Sequence, residues 1–349
     1  MKMIVFIVTM LISVPIFASS EHNHNHDSEH EVDHLSIYDT FFGGDELHQV
    51  CYSNDHRKFF YIIFLFMLLS VLLSLIFVVV KHKYNKKLKK QKAVISEKNK
   101  EMIDSIQYAL GIQKTILPTD KDFNRIAPNS FVYYRPKDIV SGDFYYCAEV
   151  DECQYIAVID CTGHGVPGAF LTLIGNQALN RAIHDDEIYQ PNEILSQMNR
   201  YVKQSLKQME QGGIQDGMEI GLVKIDKKKD SIEFAGAGLN LLLVNDNGIE
   251  RIKGDRLSVG TKQCYVSKGP ENKVLKLSSY QKAFLYTDGV VDQFGTNDEK
   301  FKTKRLLSLL EKNKSLSIQE IRKTFVKVFE TWKGDKEQVD DITFIGMEF

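Results

Sequence analysis

Two uninterrupted apolar runs near the start of the chain differ from the patterned sequence that follows them. The first, residues 3–18, comes after Lys2 and ends in small residues, which predicts a secretory signal peptide at 1–19. An uncleaved first membrane helix is the alternative. The second run, residues 59–80, has 22 residues without a charge. A helix of that length covers the roughly 30 Å hydrocarbon core of a bilayer, so we predict one transmembrane helix there.

The charges beside the second run predict its orientation. Seven lysines follow it within twelve residues: Lys81, Lys83, Lys86, Lys87, Lys89, Lys90 and Lys92. Lysine is concentrated on the side of a membrane span that stays in the cytoplasm. We therefore predict a single-pass protein of the inner (cytoplasmic) membrane, with everything after Lys81 in the cytoplasm. A retained first segment gives the same placement.

Residues 20–58 are predicted to form a short exported segment that is rich in histidine. The histidines are interleaved with acids, as at His22, His24, Glu29 and His30. Imidazole and carboxylate are ligands for zinc, copper or nickel, but no spacing here fixes a coordination geometry. A metal-binding segment and a disordered polar tether are the two interpretations.

Residues 81–118 are predicted to be a basic juxtamembrane segment and helical linker. Within it a seam recurs at alternating intervals of four and three: Ile95, Asn99, Met102, Ile106, Ala109, Gln113 and Ile116. Polar Asn99 and Gln113 in such a seam specify the register of a parallel coiled coil, which predicts a homodimer through residues 93–118. The alternative is an amphipathic helix packed on the domain that follows. Pro118 ends the helix in either case.

A change of pattern from residue 131 onward predicts a domain of mixed structure. Short β-rich runs lie at 131–134, 144–150, 154–160, 218–225, 231–235, 239–244, 283–287 and 342–349. Tight polar turns at 226–230 and 245–248 favour antiparallel hairpins. Helical periodicity follows the glycine-rich stretch after residue 160, and it returns at 302–312 and 317–332. Grouped strands and grouped helices predict an α+β domain, which we place at 119–349.

Global composition excludes some classes of function. The formal net charge is −2, whereas nucleic-acid recognition needs a basic face, so we predict no nucleic-acid partner. The five cysteines form no CxxC pair and no zinc-ligand spacing with the histidines. Four of them fall in the part placed in the cytoplasm, where thiols stay reduced.

Four aspartates stand where predicted strands meet loops. Asp143 precedes the second β-rich run, Asp160 ends the third, Asp288 follows the seventh and Asp340 lies before the last. A carboxylate at a strand end is held by a rigid backbone yet reaches solvent. Several carboxylates without a set of cysteines or histidines suit hard cations such as Mg²⁺ or Mn²⁺. One such aspartate alone is typical of a cap or turn, but the four together predict a metal centre.

These aspartates belong to five motifs that resemble a known family. In chain order the motifs are Ser141-Gly-Asp-Phe-Tyr145, Asp160-Cys-Thr-Gly-His-Gly-Val-Pro-Gly-Ala-Phe170, Phe234-Ala-Gly-Ala-Gly-Leu-Asn240, Leu285-Tyr-Thr-Asp-Gly289 and Asp340-Asp-Ile-Thr343. Their order is that of the PPM (protein phosphatase 2C-like) phosphatases, and they look most like the SpoIIE-type bacterial branch. The resemblance covers residues 131–349.

The resemblance implies a fold and a site. The implied fold is an αββα sandwich, two antiparallel sheets flanked by helices, with a centre for two Mn²⁺ or Mg²⁺ ions at one end. Carried over by motif, Asp160 bridges both metals and the backbone carbonyl of Cys161 ligates one. Asp143 acts directly or through water, while Asp288 and Asp340 complete the set.

The activity implied by the resemblance is hydrolysis of phosphoserine or phosphothreonine by a metal-activated water, in bacterial signal transduction. His164, four residues after Asp160, is a catalytic candidate that protonates the leaving group, and a loop-structuring role is its alternative. The branch implies a phosphorylated regulatory protein as substrate, such as an anti-sigma-factor antagonist or a STAS-type protein. The competing function is a catalytically inactive scaffold that binds a phosphoprotein. The presence of all four aspartates argues against it.

Overall fold

The computed structural model describes residues 45–207, 216–261 and 269–349, with side chains described from residue 56. The predicted signal peptide at 1–19 lies outside the described residues, as does most of the predicted exported segment at 20–58. The chain separates into two compact units, residues 1–91 and residues 92–349.

The described part of the first unit is helical. Helix α1 begins at Asp45 and ends at Ile116, so that its last turns belong to the second unit. Of the described helices, it is the one long and apolar enough to cross a membrane, with a mean hydropathy of 3.2 in its most apolar window. Nearly all side chains of residues 59–80 are exposed. Because an uncovered apolar surface of this size is typical of membrane or protein contact regions, α1 is a candidate membrane span.

The second unit contains helices and strands in separate groups. After α1 the described helices are α2 (Asp120–Ile126), α3 (Gly165–Asn180), α4 (Pro191–Ser205), α5 (Asp288–Asp292), α6 (Lys302–Lys312) and α7 (Ile318–Lys333). The described strands are β1 (Ser130–Arg135), β2 (Asp143–Val150), β3 (Cys153–Cys161), β4 (Met218–Asp226), β5 (Ser231–Ala237), β6 (Leu241–Asn245), β7 (Gly248–Ile252), β8 (Lys273–Lys276), β9 (Lys282–Tyr286) and β10 (Ile342–Glu348).

The strands form two antiparallel sheets that pack face to face. The first sheet has the order β1-β10-β9-β6-β7, and the second has the order β2-β3-β4-β5-β8. Between them, Ile156 and Val158 of the second sheet share a buried core with Leu285 and Ile345 of the first. Helices α3 and α4 cover the outer face of the second sheet, and α6 and α7 cover that of the first. This order of layers confirms the predicted αββα sandwich.

The alternation along β3 shows how the sequence produces these layers. Successive side chains of a strand point to opposite faces. Ile156 and Val158 face the other sheet, whereas Ala157 and Ile159 face the core under α3 and α4. Both faces are apolar because a central strand of a four-layer domain has no face in water. Full burial of each valine or isoleucine side chain contributes about 1.5–3 kcal/mol.

Beyond the predicted elements, the structure contains strands β7 and β8 and the short helices α2 and α5. Strand β7 pairs with β6 across the predicted turn at 245–248, but only its first and last residues are buried, so it carries little apolar alternation. Strand β8 has four residues and lies at a sheet edge. Helix α2 follows Pro118 and begins at a capping box formed by Thr119 and Asp122. Its seven residues are too few for helical periodicity to show.

The last turns of α1 pack on the domain that follows them. Gln113 is buried, and its side-chain amide donates to the carbonyl of Ser141 at 2.6 Å and accepts from the amide of Ser141 at 3.1 Å. The side chain of Asn176 donates to the carbonyl of Ile116 at 2.9 Å. Ile95, at the start of the predicted seam, is exposed. The end of the linker is therefore a helix packed on the domain that follows, which was the alternative interpretation. A homodimer through the exposed part of the linker stays a prediction.

Candidate active site

The predicted aspartates meet at one end of the sandwich. In the second sheet, Asp143 is the first residue of β2 and Asp160 is the last but one of β3. In the first sheet, Asp288 lies just after β9 and Asp340 lies just before β10. Because neighbouring antiparallel strands place the end of one beside the start of the next, the four positions share one edge of the fold.

Three carboxylates lie in a row across the second sheet. Asp143 is directly opposite Asp160, and Asp160 is directly opposite Glu219 of β4. Side chains paired in this way on antiparallel strands share a face. The Glu219 side chain lies against Gly238, where a Cβ atom would collide with it and where φ is 88°. Glu219 had no predicted role, since its one sequence signal was its place at the start of a β-rich run.

Asp143 joins the two sheets through hydrogen bonds. Its Oδ2 accepts from the hydroxyl of Thr287 at 2.7 Å and from the hydroxyl of Thr343 at 2.8 Å. Both threonines come from the first sheet, at the end of β9 and in β10. Asp143 is 2% exposed, and this burial raises the pKa of its carboxyl while the two hydroxyls oppose the shift. The position of this carboxylate is therefore fixed by the fold.

Asp341 fixes the loop before β2. Its Oδ1 accepts from the amide of Lys137 and its Oδ2 from the amide of Gly142, each at 2.7 Å. Asp341 is also 2% exposed, and burial raises its pKa while the two amides oppose the shift. Its neighbour Asp340 is half-buried and accepts from the backbone amide of Asp341 at 2.8 Å. The doublet thus divides into a carboxylate held by the protein backbone and one that remains open to a ligand.

Asp160 is surrounded by other carboxylates. Burial raises the pKa of Asp160 to about 9, and four neighbouring negative charges add to the shift: Asp143, Asp288, Asp340 and Glu219. A carboxyl group placed among like charges in a partly buried site favours either a proton or a cation. The arrangement therefore attracts positive charge to this end of the sandwich.

Asp288 and Glu219 extend the same negative surface outward. Burial, followed by the charges of Asp340 and Asp292, raises the pKa of Asp288, and Lys300 opposes that shift. Partial burial and the charge of Asp288 raise the pKa of Glu219. Both residues are exposed, so the acidic cluster opens to solvent on the side away from Asp143.

Close backbone packing aligns the two loops that carry Asp143 and Asp160. The carbonyl of Gly163 rests against Gly142 and Gly168, where Cβ atoms would collide with it. Gly163 has a φ of 81°, in the left-handed region that favours glycine. The amide of Cys161 donates to the carbonyl of Gly142 at 3.2 Å. The glycines of these two motifs therefore let one loop lie directly on the other.

The structure places Cys161 and His164 in different environments. The Cys161 side chain is buried in the core under α3 and α4, and burial raises the pKa of its thiol. Its backbone carbonyl is then the group left for the ligand role that the resemblance implies. His164 is exposed at the start of α3, and its Nδ1 lies 2.6 Å from Oδ2 of Asp138 in the loop between β1 and β2. Asp138 had no predicted role.

The acidic cluster fits hard divalent cations. Oxygen ligands from several carboxylates are the donors that Mg²⁺ and Mn²⁺ prefer. A bound cation relieves the burial and repulsion that raise the pKa of Asp160. Among the residues from 56 onward whose side chains are described, no three acidic, histidine or cysteine side chains already surround one ion position. The ligand set stays a prediction: Asp143, Asp160, Cys161, Asp288 and Asp340.

Comparisons with known proteins agree with this fold. Residues 151–349 match the family described as Stage II sporulation protein E (SpoIIE). The SiaA-PP2C domain of Pseudomonas aeruginosa is 30% identical, with a TM-score of 0.64, and the match covers 72% of this chain and 98% of that domain. No match was found among curated proteins.

Two more distant structures show the same fold. One contains the PP2C phosphatase domain and a fragment of the regulatory domain of SpoIIE from Bacillus subtilis. It has a TM-score of 0.51 at 14% identity, covering 63% of each chain. The other contains the RsbU and RsbW domains of Rv1364c from Mycobacterium tuberculosis, with a TM-score of 0.50 at 20% identity. That match covers 64% of this chain and 60% of the other.

The family match and the predicted resemblance coincide. The match spans more than half of the chain, and it includes the motifs of Asp160, Asp288 and Asp340. The PP2C-type fold supports protein serine/threonine phosphatase activity, which confirms the resemblance stated from the motifs. The chain belongs to the SpoIIE family of PPM (PP2C-type) phosphatases.

Proposed function

We propose that the chain is a membrane-anchored, metal-dependent protein serine/threonine phosphatase. The observation that carries the proposal is the convergence of carboxylates from both sheets at Asp160, whose pKa is raised to about 9 by burial and by its acidic neighbours. Buried like charges are costly in a purely structural role. Cations bound at this edge would compensate the repulsion among these carboxylates. A metal-dependent phosphatase of this fold needs such a cation site.

The residues proposed to hold the cations come from both sheets. In the proposal, Asp160, Asp288 and Asp340 hold two Mn²⁺ or Mg²⁺ ions, with the Cys161 carbonyl beside them. Asp143 completes the set directly or through water. When bound, such ions supply a nucleophile from water at neutral pH and neutralise charge on the phosphoryl group.

Phosphate release by the full-length chain in nanodiscs tests this proposal. We expect hydrolysis of a phosphoserine peptide with Mn²⁺ or Mg²⁺ and none in excess EDTA. Asp160→Asn should be inactive, whereas Asp335→Asn, a matched change of an exposed aspartate, should retain full activity. Undiminished turnover in EDTA contradicts the metal mechanism. Peptide binding without turnover at every Mn²⁺ concentration supports the inactive scaffold instead.

We extend the proposal to the substrate class. The SpoIIE-type resemblance supports a phosphorylated regulatory protein of the anti-sigma-factor-antagonist or STAS type. Phosphoproteomics that compares a deletion strain with one carrying an Asp160→Ala copy should show the same accumulated phosphosites in both strains. Phosphosites that fall to the wild-type level in the Asp160→Ala strain contradict an enzymatic role for the chain.

The proposed topology has one membrane span at residues 59–80 and the catalytic domain, residues 119–349, in the cytoplasm. The apolar stretch of α1 and the seven lysines after it support this orientation. The signal peptide at 1–19 and the exported segment at 20–58 complete the proposal. Alkaline phosphatase fused after Phe349 should be inactive, and active fusions would mean that the orientation is inverted.

The proposed homodimer uses the exposed part of the linker. Ile95 and Met102 are exposed on α1, and they belong to the predicted seam. Ile95→Asp should lower the mass of the full-length chain in detergent from dimer to monomer, while Lys98→Asp on the same helix should not. A wild-type chain that is monomeric at all practical concentrations contradicts the dimer.

A further inference from the structure

An open groove runs between helices α6 and α7 on the outside of the first sheet. Its apolar residues are Phe301 and Leu309 on the α6 side, and Val328 and Trp332 on α7. Val328 is 41% exposed and Trp332 is half-buried, so part of this apolar surface is open to solvent. The groove has a volume of about 840 Å³, which is enough for several side chains of a bound segment.

The groove carries an excess of positive charge. Arg305, Lys312 and Lys327 line it, and none of its lining residues is acidic. From residue 302 to residue 333 the sequence has nine lysines and arginines but three glutamates, whereas the whole chain has a net charge of −2. The positive charge is therefore a local property of these two helices.

The glutamates of α6 and α7 do not neutralise the lysines of the groove. They are used in ion pairs with Lys314 and Arg135 and in the capping box at the start of α7. Within the part of the chain that the structure describes, Lys312 and Lys327 form no ion pair, and both are exposed. Their charges therefore stay available to a partner.

Trp332 is held rigidly at one end of the groove. The guanidinium carbon of Arg305 lies 3.9 Å from the centre of its ring, and the ring also packs against Gly295, where a Cβ atom would collide with it. Its indole N–H donates to the carbonyl of Gln293 at 3.3 Å. Tryptophan and arginine are enriched among the residues that contribute most to protein interfaces. An aromatic side chain that is already fixed loses little conformational entropy when a partner binds.

The bond from Trp332 to Gln293 also places this end of the groove beside the acidic cluster. Gln293 directly follows α5, which begins at Asp288. The side-chain carbonyl of Gln293 accepts from the amide of Val339 at 3.3 Å, and Val339 precedes Asp340. The segments that carry two of the predicted metal ligands are therefore joined through Gln293 to the groove.

We propose that this groove is a docking site that binds an acidic amphipathic helix of the phosphoprotein substrate. That the occupant is the substrate rests on the proposed phosphatase function and on the position of the groove beside the acidic cluster. Apolar side chains of the bound helix pack on Val328 and Trp332, and its carboxylates pair with Lys312 and Lys327. Helix α6 has 11 residues and is about 16 Å long, which matches about three turns of a bound helix.

Trp332 is the one tryptophan of the chain, so its fluorescence reports directly on the groove. The probe is a tryptophan-free peptide of about 14 residues, with leucines on one face of its helix and glutamates on both flanks. Its counterpart has lysine in place of every glutamate. Each peptide is titrated into the full-length chain in detergent. We expect a saturable change in the emission of Trp332 with the acidic peptide and none with the basic one.

Charge reversal tests which lysines bind the peptide. The double variant Lys312→Glu/Lys327→Glu should weaken the acidic peptide roughly 10-fold or more, because two attractive contacts become repulsive. The matched control is Lys304→Glu/Arg322→Glu, which reverses one exposed basic residue outside the groove on each of the same helices. This control should bind the peptide with the wild-type affinity.

A second measurement tests the link to the substrate. The acidic helix is joined by a short flexible linker to a phosphoserine segment, and KM is compared with that of the phosphoserine segment alone in saturating Mn²⁺. Docking raises the effective concentration of the phosphoserine, so we expect KM to be roughly 10-fold lower or more for the joined peptide. The variant Lys312→Glu/Lys327→Glu should lose this advantage.

The outcomes separate the ways in which the proposal can fail. Equal affinity for the acidic and basic peptides, or wild-type affinity in Lys312→Glu/Lys327→Glu, overturns the docking site. A response of Trp332 to liposomes of phosphatidylglycerol and phosphatidylcholine, without any response to the peptide, assigns the groove to the membrane surface instead. Peptide binding without a lower KM for the joined substrate overturns the role in substrate docking. A wild-type chain that hydrolyses no phosphoserine peptide overturns the proposed function, and the peptide titration then decides separately whether the groove binds an acidic helix.

Discussion

Two sets of carboxylates lie side by side at the active-site end of the sandwich. They differ in whether the protein supplies hydrogen-bond donors to them. Asp143 and Asp341 are both 2% exposed, and each accepts two hydrogen bonds from hydroxyls or backbone amides. Asp160 and Asp288 instead face each other and further carboxylates. The first pair is satisfied by the protein and sets the geometry. The negative charge of the second pair is not compensated by such donors, and in the proposed function bound cations compensate it.

Asp160→Asn should produce the largest effect, because it removes the charge at the centre of the unsatisfied set. The contribution of a bound ion to phosphoryl transfer is several kcal/mol, so we expect kcat to fall roughly 10³-fold or more. The same change should raise the melting temperature of the metal-free chain at neutral pH, since Asp160 must take up a proton on folding and asparagine needs none. The two measurements are turnover with Mn²⁺ and thermal unfolding in EDTA. A variant that keeps wild-type turnover and unfolds at a lower temperature than the wild type would place Asp160 in the hydrogen-bonded, structural set instead.

Asp341→Ala should lower the free energy of unfolding, because Asp341 supports the loop and is not one of the predicted metal ligands. The change leaves the buried amide of Gly142 and the half-buried amide of Lys137 without an acceptor. An unsatisfied buried group costs about 1–3 kcal/mol and a half-buried one costs less, so the free energy of unfolding should fall by about 2–4 kcal/mol. Urea titration of the wild type and the variant measures this. Asp335→Ala, at an exposed position, is the control and should change the value by less than about 0.5 kcal/mol.

Thr287→Val tests the link between the sheets with a smaller change. It removes a hydroxyl that donates to the buried carboxylate of Asp143 and accepts from the buried amide of Thr343. Hydrogen bonds to charged groups contribute about 1.5–3 kcal/mol, and we expect a loss of at least that size from the two contacts together. Thr331→Val is the matched control, because the Thr331 hydroxyl bonds only to a carbonyl of its own helix at an exposed position. Equal losses of unfolding free energy in Thr287→Val and Thr331→Val would contradict a stabilising contribution from the contact with Asp143.

The remaining prediction is a pH dependence of the metal-free chain. The pKa of Asp160 is about 9 in the fold and about 3.9 in an unfolded chain, so the folded state binds more protons between these values. Stability from this group is therefore present below about pH 4 and is lost as the pH rises through about 9. In EDTA, the melting temperature should fall as the pH rises from 5 to 8. Asp160→Asn, or saturating Mn²⁺, should remove this part of the slope.

Local patterns in the sequence predicted the strands and helices of an α+β domain, and the family resemblance implied their arrangement in layers. Short β-rich runs such as 154–160 became β3, and the glycine-rich motif beginning at Asp160 led into α3. Asp143, Asp160, Asp288 and Asp340 were predicted as a set and lie at one edge of the sandwich. These features could be predicted because a β-rich run and the carboxylate at its end involve only a few neighbouring residues.

The remaining parts of the site depend on contacts between distant segments. Asp341 could not be distinguished from Asp340 by sequence, because only the approach of the loop at residues 137–142 separates their roles. Glu219 joins the cluster through strand register, and Asp138 meets His164 across 26 positions of chain. Such contacts are set by tertiary packing, which no local pattern encodes.

The two hydrogen bonds between Gln113 and Ser141 have a practical consequence for dissecting the protein. A fragment that begins at the predicted domain boundary, residue 119, lacks Gln113 and leaves the amide and carbonyl of Ser141 unpaired two residues before Asp143. It also removes the carbonyl of Ile116 that accepts from Asn176 on α3. An expressed catalytic fragment should therefore start upstream of Gln113. Low activity in a shorter one reflects a damaged scaffold, and its kinetics should not be used to judge the catalytic residues.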